Sequence, residues 1–104
     1  MNETDIFRAL ADPTRRAVFE RLAGGEQNAT QLRDGFAISQ PAMSQHLAVL
    51  RSAGLIEERR SGRHVNYSVR PDGLVPLADW MGRYRAFWPA RIDKLKDLLK
   101  EMDQ

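Results

Sequence analysis

The sequence predicts a mainly α fold carrying a single two-stranded hairpin, and three observations lead there. Helix-capping residues recur at short intervals through the first half of the chain. One segment, His64 to Val69, alternates strictly between apolar and polar side chains. The last third repeats large apolar residues at spacings of three and four. With 104 residues and 42% hydrophobic composition, the chain can bury one core but not two, so residues 1–104 are read as a single domain.

Thr4 is placed to cap a first short helix in which Ile6, Phe7 and Leu10 share a face. Asp12-Pro13 restarts the chain. Asp12 is a good N-cap and Pro13 fits the first helical position, where its missing N–H costs nothing, so a second helix is expected through Ala17, Val18 and Leu22 to Gly24-Gly25. Asn28 and Gln31 have the spacing of a capping box, opening a short third helix through Leu32 that Gly35 closes. Ser39, with Pro41 in the first turn, opens a fourth helix to Arg51. Met43, Leu47 and Leu50 form its one narrow apolar stripe. The opposite face carries Gln40, Ser44, Gln45, Ala48 and Arg51, small or amide-bearing side chains where an ordinary solvated helix has Glu and Lys. That face is built to touch a partner.

Ala53-Gly54 stops the fourth helix, and Leu55 to Arg60, Ser61-Gly62-Arg63 and His64 to Val69 read as a hairpin. Val65, Tyr67 and Val69 make its apolar face, and Arg60 and Arg63 stand at the tip. A flexible glycine between exposed arginines suits insertion beside a phosphate backbone or into a minor groove. After Pro71-Asp72-Gly73 one long helical pattern runs through Leu77, Met81, Tyr84, Trp88, Leu95, Leu98 and Met102. Pro76 fits its first turn, and Pro89 is expected to kink or briefly break it. Trp80, Phe87, Ile92 and Leu99 widen the stripe beyond what so small a domain buries, so part of it is expected to meet a partner.

The net charge of +2 conceals an uneven distribution. Residues 1–38 carry five arginines against six acids, and residues 71–104 six bases against six acids. Between Ser39 and Arg70 there are five arginines (51, 59, 60, 63 and 70) and only two acids, Glu57 and Glu58. Such a local basic excess is the electrostatic footprint of a polyanionic partner. The absence of cysteine excludes a disulfide framework, a thiolate metal site and a thiol switch. No run approaches the roughly 20 apolar residues of a membrane span, and the first residues lack a signal-peptide pattern, so a cytoplasmic location is expected. No nucleophile is paired with a base and no glycine loop cradles phosphate, which argues against an enzyme.

A short helix, a turn of three or four residues and a second helix with a polar outward face form a helix-turn-helix, and the basic hairpin that follows makes a wing. The segments Ala9-Leu10-Ala11-Asp12-Pro13-Thr14-Arg15-Arg16, Ser39-Gln40-Pro41-Ala42-Met43-Ser44-Gln45-His46-Leu47, Leu50-Arg51-Ser52-Ala53-Gly54-Leu55-Ile56 and Gly62-Arg63-His64-Val65-Asn66-Tyr67-Ser68 closely resemble the ArsR family of bacterial regulators. The resemblance runs through nearly the whole chain. The stretch Trp80 to Trp88 also resembles the C-terminal helix of a cysteine-free subgroup of that family.

The resemblance implies a homodimeric regulator of transcription that binds double-stranded DNA, most simply a repressor on an imperfect palindrome. It implies Gln40, Ala42, Ser44, Gln45 and His46 at the DNA-reading helix, and Arg60 and Arg63 in the wing. It implies pairing through residues 1–11 and 72–103, with Phe7, Leu77, Trp80, Met81, Tyr84, Trp88, Ile92, Leu95 and Leu99 at the seam. The chemistry of the side chains agrees. Gln40 and Gln45 can offer a donor and an acceptor to adenine edges, Ser44 suits base edges or phosphate, and Ala48 lets the helix approach closely. Arg51 suits positioning on the phosphate backbone. His46 either bonds a phosphate or packs at the helix margin, and Arg15 and Arg16 either contact phosphate or pair with Asp12 and Glu20.

Metal-responsive members of the family use cysteines, or His and carboxylate groups on the last helix. Here there is no cysteine, and the two histidines, His46 and His64, lie in the reading helix and the wing. Asp93 and Asp97 sit among Lys94, Lys96 and Lys100, as in a solvated ion-pair lattice. No metal or cofactor is expected; an apolar effector between the aromatic helices, a protein partner, or no effector at all remain open. The reading from another class is a winged-helix protein-interaction module without specific DNA binding, whose surface would carry aromatic anchors where this one has Gln, Ser and Ala.

Overall fold

The computed structural model describes residues 2–90 and 97–101. Helix α1 (Glu3–Ala11) is capped by Asn2, whose side-chain oxygen accepts the Asp5 N–H at 3.0 Å. The cap therefore lies two residues before the expected Thr4, which is inside the helix, because Asn2 holds the extended backbone a cap requires. Helix α2 (Pro13–Ala23) begins as expected, with the Asp12 carboxylate accepting the Arg15 N–H at 2.9 Å.

The corner between the two helices is held by arginines. Arg15 donates from Nε to the Ala9 carbonyl and from Nη2 to the Arg8 carbonyl at 3.0 Å, and Arg16 donates to the Leu10 carbonyl at 2.7 Å. Both cations thus satisfy the last carbonyls of α1, where the helix dipole is negative. They were expected on phosphate or on Asp12 and Glu20; these carbonyl bonds are what the fold gives them.

The chain then forms β1 (Gln27–Asn28), α3 (Ala29–Arg33), α4 (Gln40–Ser52), β2 (Ile56–Ser61), β3 (His64–Val69) and α5 (Val75–Gly82). Asn28 and Gln31 make the full capping box of α3, at 2.8 and 2.9 Å. The sheet is antiparallel in the order β1-β3-β2, with Ile56 opposite Val69 and Ser61 opposite His64 along the hairpin. A third strand joins the expected two because Gln27 and Asn28 pair with Tyr67 and Asn66. Two residues leave no periodicity to read, so only the partner strand defines β1.

Ile6, Ala9, Val18, Leu22, Leu32, Met43, Leu47, Leu50, Ala53, Leu55 and Ile56 make the buried core, with Phe36, Ile38, Tyr67, Val69 and Leu77 packed half-buried around it. At the exit from β3 the backbone presses on the end of α4. A Cβ on buried Gly73 would stand 2.7 Å from the Gly54 carbonyl oxygen, so only glycine fits there.

The expected long final helix is interrupted. Helix α5 ends at Gly82, a 3-10 turn follows at Arg85–Phe87, and Trp88 is extended with φ −72° and ψ 140°. Pro89 forces that extended conformation on the residue before it, and Gly82 offers little resistance to ending the helix early. The break is therefore longer than the kink expected at Pro89. Residues 97–101 are again helical. Among the described residues no helix is long and apolar enough to cross a membrane.

Candidate nucleic-acid interface

Six residues, 34–39, separate α3 from α4, more than the three or four expected. Asp34 and Gly35 complete the closing turn of α3, while Phe36 and Ile38 pack on the core and anchor the connection. Ser39 then caps α4, its hydroxyl accepting the Ala42 N–H at 3.2 Å. Met43, Leu47 and Leu50 are 1%, 4% and 0% exposed. Burial of side chains this size is worth roughly 1.5–3 kcal/mol each, which fixes the rotation of α4 about its own axis. The rest of the helix surface is defined by that constraint.

Gln40, Ser44, Gln45 and Ala48 are exposed, as expected, on a helix that carries no acidic residue. Gln45 and Ala48 also wall an open groove of about 330 Å³ against Asp5, Arg8 and Ala9 of α1. Ala42 and His46 are placed differently. Both are half-buried on the flank turned toward the protein, and the His46 Nδ1 is buried without a hydrogen-bond partner among the described residues. The Arg15 backbone N–H holds the Asp12 carboxyl below its usual range, and the nearby His46 adds to that effect. Of the two readings open for His46, packing at the helix margin is the one its burial favours.

The hairpin turns through Gly62 and Arg63 with φ +61° at Gly62 and a φ at Arg63 that is not positive, as in a type II′ turn with glycine first. Alternation along β2 puts Ile56, Glu58 and Arg60 on the face that meets the core, and Glu57 and Arg59 on the other. Three of the five arginines between Ser39 and Arg70 are held by carboxylates. Arg51 lies 2.7 Å from Glu58, Arg59 lies 2.9 Å from Glu26, and Arg70 lies 3.5 Å from Asp72. Arg60 and Arg63 are exposed and have no carboxylate partner among the described residues. Among the described residues the uncompensated charge of the basic stretch is therefore concentrated toward the tip of the hairpin.

Residues 10–59 match the helix-turn-helix domain family. The chain is 36% identical over 77 residues to the transcriptional repressor SdpR of Bacillus subtilis, a match covering 74% of this chain and 86% of that protein. It is 42% identical over 78 residues to the HTH-type transcriptional regulator Rv2034 of Mycobacterium tuberculosis, covering 75% and 73%. The crystal structure of an ArsR family transcriptional regulator, 30% identical, matches with a TM-score of 0.73 over 84% of this chain and 90% of that one. The chain belongs to the ArsR family. It is a DNA-binding transcriptional regulator whose α3 and α4 form the helix-turn-helix and whose β2 and β3 form the wing.

The residues expected at an ArsR-family dimer seam fall into three groups. Leu77 packs half-buried on its own core, and Trp80 and Trp88 are also half-buried. Phe7, Met81, Tyr84 and Leu99 are exposed, and Phe7 meets Trp80 edge to face at 5.2 Å while Trp80 leans on Tyr84 at 5.0 Å. Ile92 and Leu95 lie outside the described residues. Phe87, at 83% exposure, is the most open aromatic named on this surface, and it belonged to the stripe without being singled out.

Sequence reasoning missed the ion pairs at the reading surface. Arg51, expected on the phosphate backbone, pairs with Glu58 at 2.7 Å. The signal was present only in composition: the two acids of the basic stretch are adjacent, and alternation along a strand sends one of them back toward α4.

Proposed function

We propose that this ArsR-family protein is a homodimeric repressor that reads an imperfect palindromic operator with two copies of α4, and that metal ions do not release it. The observation that carries this reading is the acid-free exposed face of Gln40, Ser44, Gln45 and Ala48, together with a wing whose Arg60 and Arg63 have no carboxylate partner among the described residues. Amide and hydroxyl side chains address base edges, and the arginines address phosphate without regard to sequence. Ala42 and His46 then support the helix from its inner flank, and residues 1–104 act as one domain.

The exposed apolar side chains of α1, α5 and the 3-10 turn after it support pairing with a second copy. Phe7, Met81, Tyr84 and Phe87 expose apolar area of a kind that monomers rarely leave in one patch. Two copies related by a two-fold axis present two reading helices to half-sites about one helical turn, roughly 34 Å, apart. Support for metal independence comes from composition. There is no cysteine, and one of the two histidines, His46, is half-buried on α4 while the other, His64, lies on the wing.

The test is fluorescence anisotropy of the protein on the DNA upstream of its own gene and on a scrambled duplex, at several salt concentrations. The reading predicts tighter binding to the native duplex and a steep salt dependence on both. Equal affinity for both duplexes contradicts sequence-specific reading, and binding to neither moves the protein-interaction module to first place. Sedimentation of Tyr84→Ser/Phe87→Ser should show monomers where the parent protein shows dimers.

A further inference from the structure

Arg51 and Glu58 connect two elements that DNA must engage together. Arg51 lies in the last turn of α4, and Glu58 lies in the middle of β2 on the face that carries Ile56 and Arg60. Their side chains meet at 2.7 Å while remaining 49% and 38% exposed. An ion pair this open to solvent adds little to stability, about 0–1 kcal/mol, so its placement is not explained by holding the fold together. Tyr67 stands opposite Glu58 in the strand register and backs the pair with a half-buried ring. The carboxylate thus sits at the root of the wing, at the junction with the reading helix.

We infer that Glu58 is a positioning residue that sets the sequence-independent part of DNA affinity: it engages Arg51 along the wing and so competes with the phosphate backbone for that cation. This rests on the DNA-reading assignment above. A regulator must prefer its operator to a large excess of other DNA, and every arginine free to reach phosphate raises affinity for all sequences alike. Side chains that read bases gain nothing from such a cation. By engaging Arg51, Glu58 lowers sequence-independent affinity and leaves the contacts of Gln40, Ser44 and Gln45 untouched. Glu57 provides the internal comparison, since it is the same charge one residue earlier on the opposite face of the strand.

The experiment measures the dependence of affinity on salt for a scrambled duplex and for the native upstream duplex, using the parent protein, Glu58→Gln, Glu57→Gln and Glu58→Gln/Arg51→Gln. Thermal melts confirm that each variant is folded. Salt dependence reports the number of phosphates neutralised, at about 0.9 per contact on duplex DNA. On both duplexes, Glu58→Gln should steepen the slope by about 0.9 per bound protomer and raise affinity, leaving the ratio of native to scrambled affinity unchanged. The steepening should vanish when Arg51 is also replaced, and Glu57→Gln should show none. An unchanged slope in Glu58→Gln, a steepening that survives loss of Arg51, or an equal effect of Glu57→Gln would each overturn the inference. If the parent protein binds neither duplex, the DNA-reading assignment itself fails, which is a separate outcome.

Discussion

Removing the two uncompensated arginines of the wing should abolish most of the salt dependence of DNA binding. Arg51, Arg59 and Arg70 pair with Glu58, Glu26 and Asp72, which leaves Arg60 and Arg63 as the cations of the basic stretch without a carboxylate partner among the described residues. Each phosphate contact contributes about 0.9 to the logarithmic salt slope, so four arginines in a bound dimer contribute about 3.6. Raising salt from 50 to 200 mM should then weaken binding to a scrambled duplex about 150-fold, by the same relation. Arg63→Gln should halve the slope, and Arg60→Gln/Arg63→Gln should bring it near zero. Both side chains are exposed, so neither change should move the thermal midpoint by more than the small shifts typical of surface positions. The assay is anisotropy on a labelled scrambled duplex at four salt concentrations, with Arg59→Gln and Arg70→Gln as controls that should change the slope little. A double variant with the parent slope would refute the reasoning, since the phosphate contacts would have to come from the paired arginines or from elsewhere.

Two glycine substitutions should separate steric from conformational cost. Gly73→Ala drives a Cβ to 2.7 Å from the Gly54 carbonyl and 3.1 Å from the Leu55 Cα, backbone atoms that cannot swing aside, and should lower stability by about 1–3 kcal/mol in chemical denaturation. Gly62→Ala meets no atom within 4 Å but must hold φ near +61°, so it should cost about 1–2 kcal/mol and weaken DNA binding by distorting the wing. The Asp12 carboxyl titrates below its ordinary value of 3.8, chiefly because it accepts the Arg15 N–H, so its stabilising effect is complete above that value and is lost as pH falls through its lowered one. Asp12→Asn keeps a competent cap, and its stability measured from pH 6 to pH 2 should fall less steeply than the parent's. Zinc, nickel, cadmium and arsenite at stoichiometric levels should leave DNA affinity unchanged in the anisotropy assay; a tenfold weakening by any one of them contradicts metal independence.

What was legible in the sequence was what local chemistry determines. Asp12-Pro13, the Asn28 and Gln31 box, the Ser39 cap and the Met43, Leu47 and Leu50 stripe all act within a few residues and all appear in the fold; the strand His64 to Val69 also forms, but its polar and apolar positions from Val65 on are half-buried alike. What was not legible depends on partners distant along the chain. The strand at Gln27 and Asn28 exists because Tyr67 and Asn66 lie beside it, and Arg59 is tied to Glu26 across the sheet. The α1–α2 corner hid the role of Arg15 and Arg16, because a chain that turns back after one residue brings carbonyls of the previous helix within reach. Periodicity also overstated the final helix. Spacings of three and four continue through a break, and only Gly82 and Pro89 marked where the backbone leaves the helix.

At the candidate site the exposed polar positions of α4 are separated from its apolar stripe as expected, and Ala42 and His46, also expected at the reading helix, are half-buried on its flank. The difference is angular. Residues one step to either side of a buried stripe are neither core nor surface, and the sequence alone does not say what covers such a flank.

The central claim is that the exposed face of α4 reads base sequence, and the most direct measurement compares Gln45→Ala with the parent protein on the native upstream duplex carrying each single base-pair change in turn. If Gln45 contacts a base edge, its loss should cost about 1–3 kcal/mol on the native duplex and remove discrimination at one position, repeated symmetrically in the two half-sites. Unchanged affinity, or an equal loss at every position and on scrambled DNA, would contradict it.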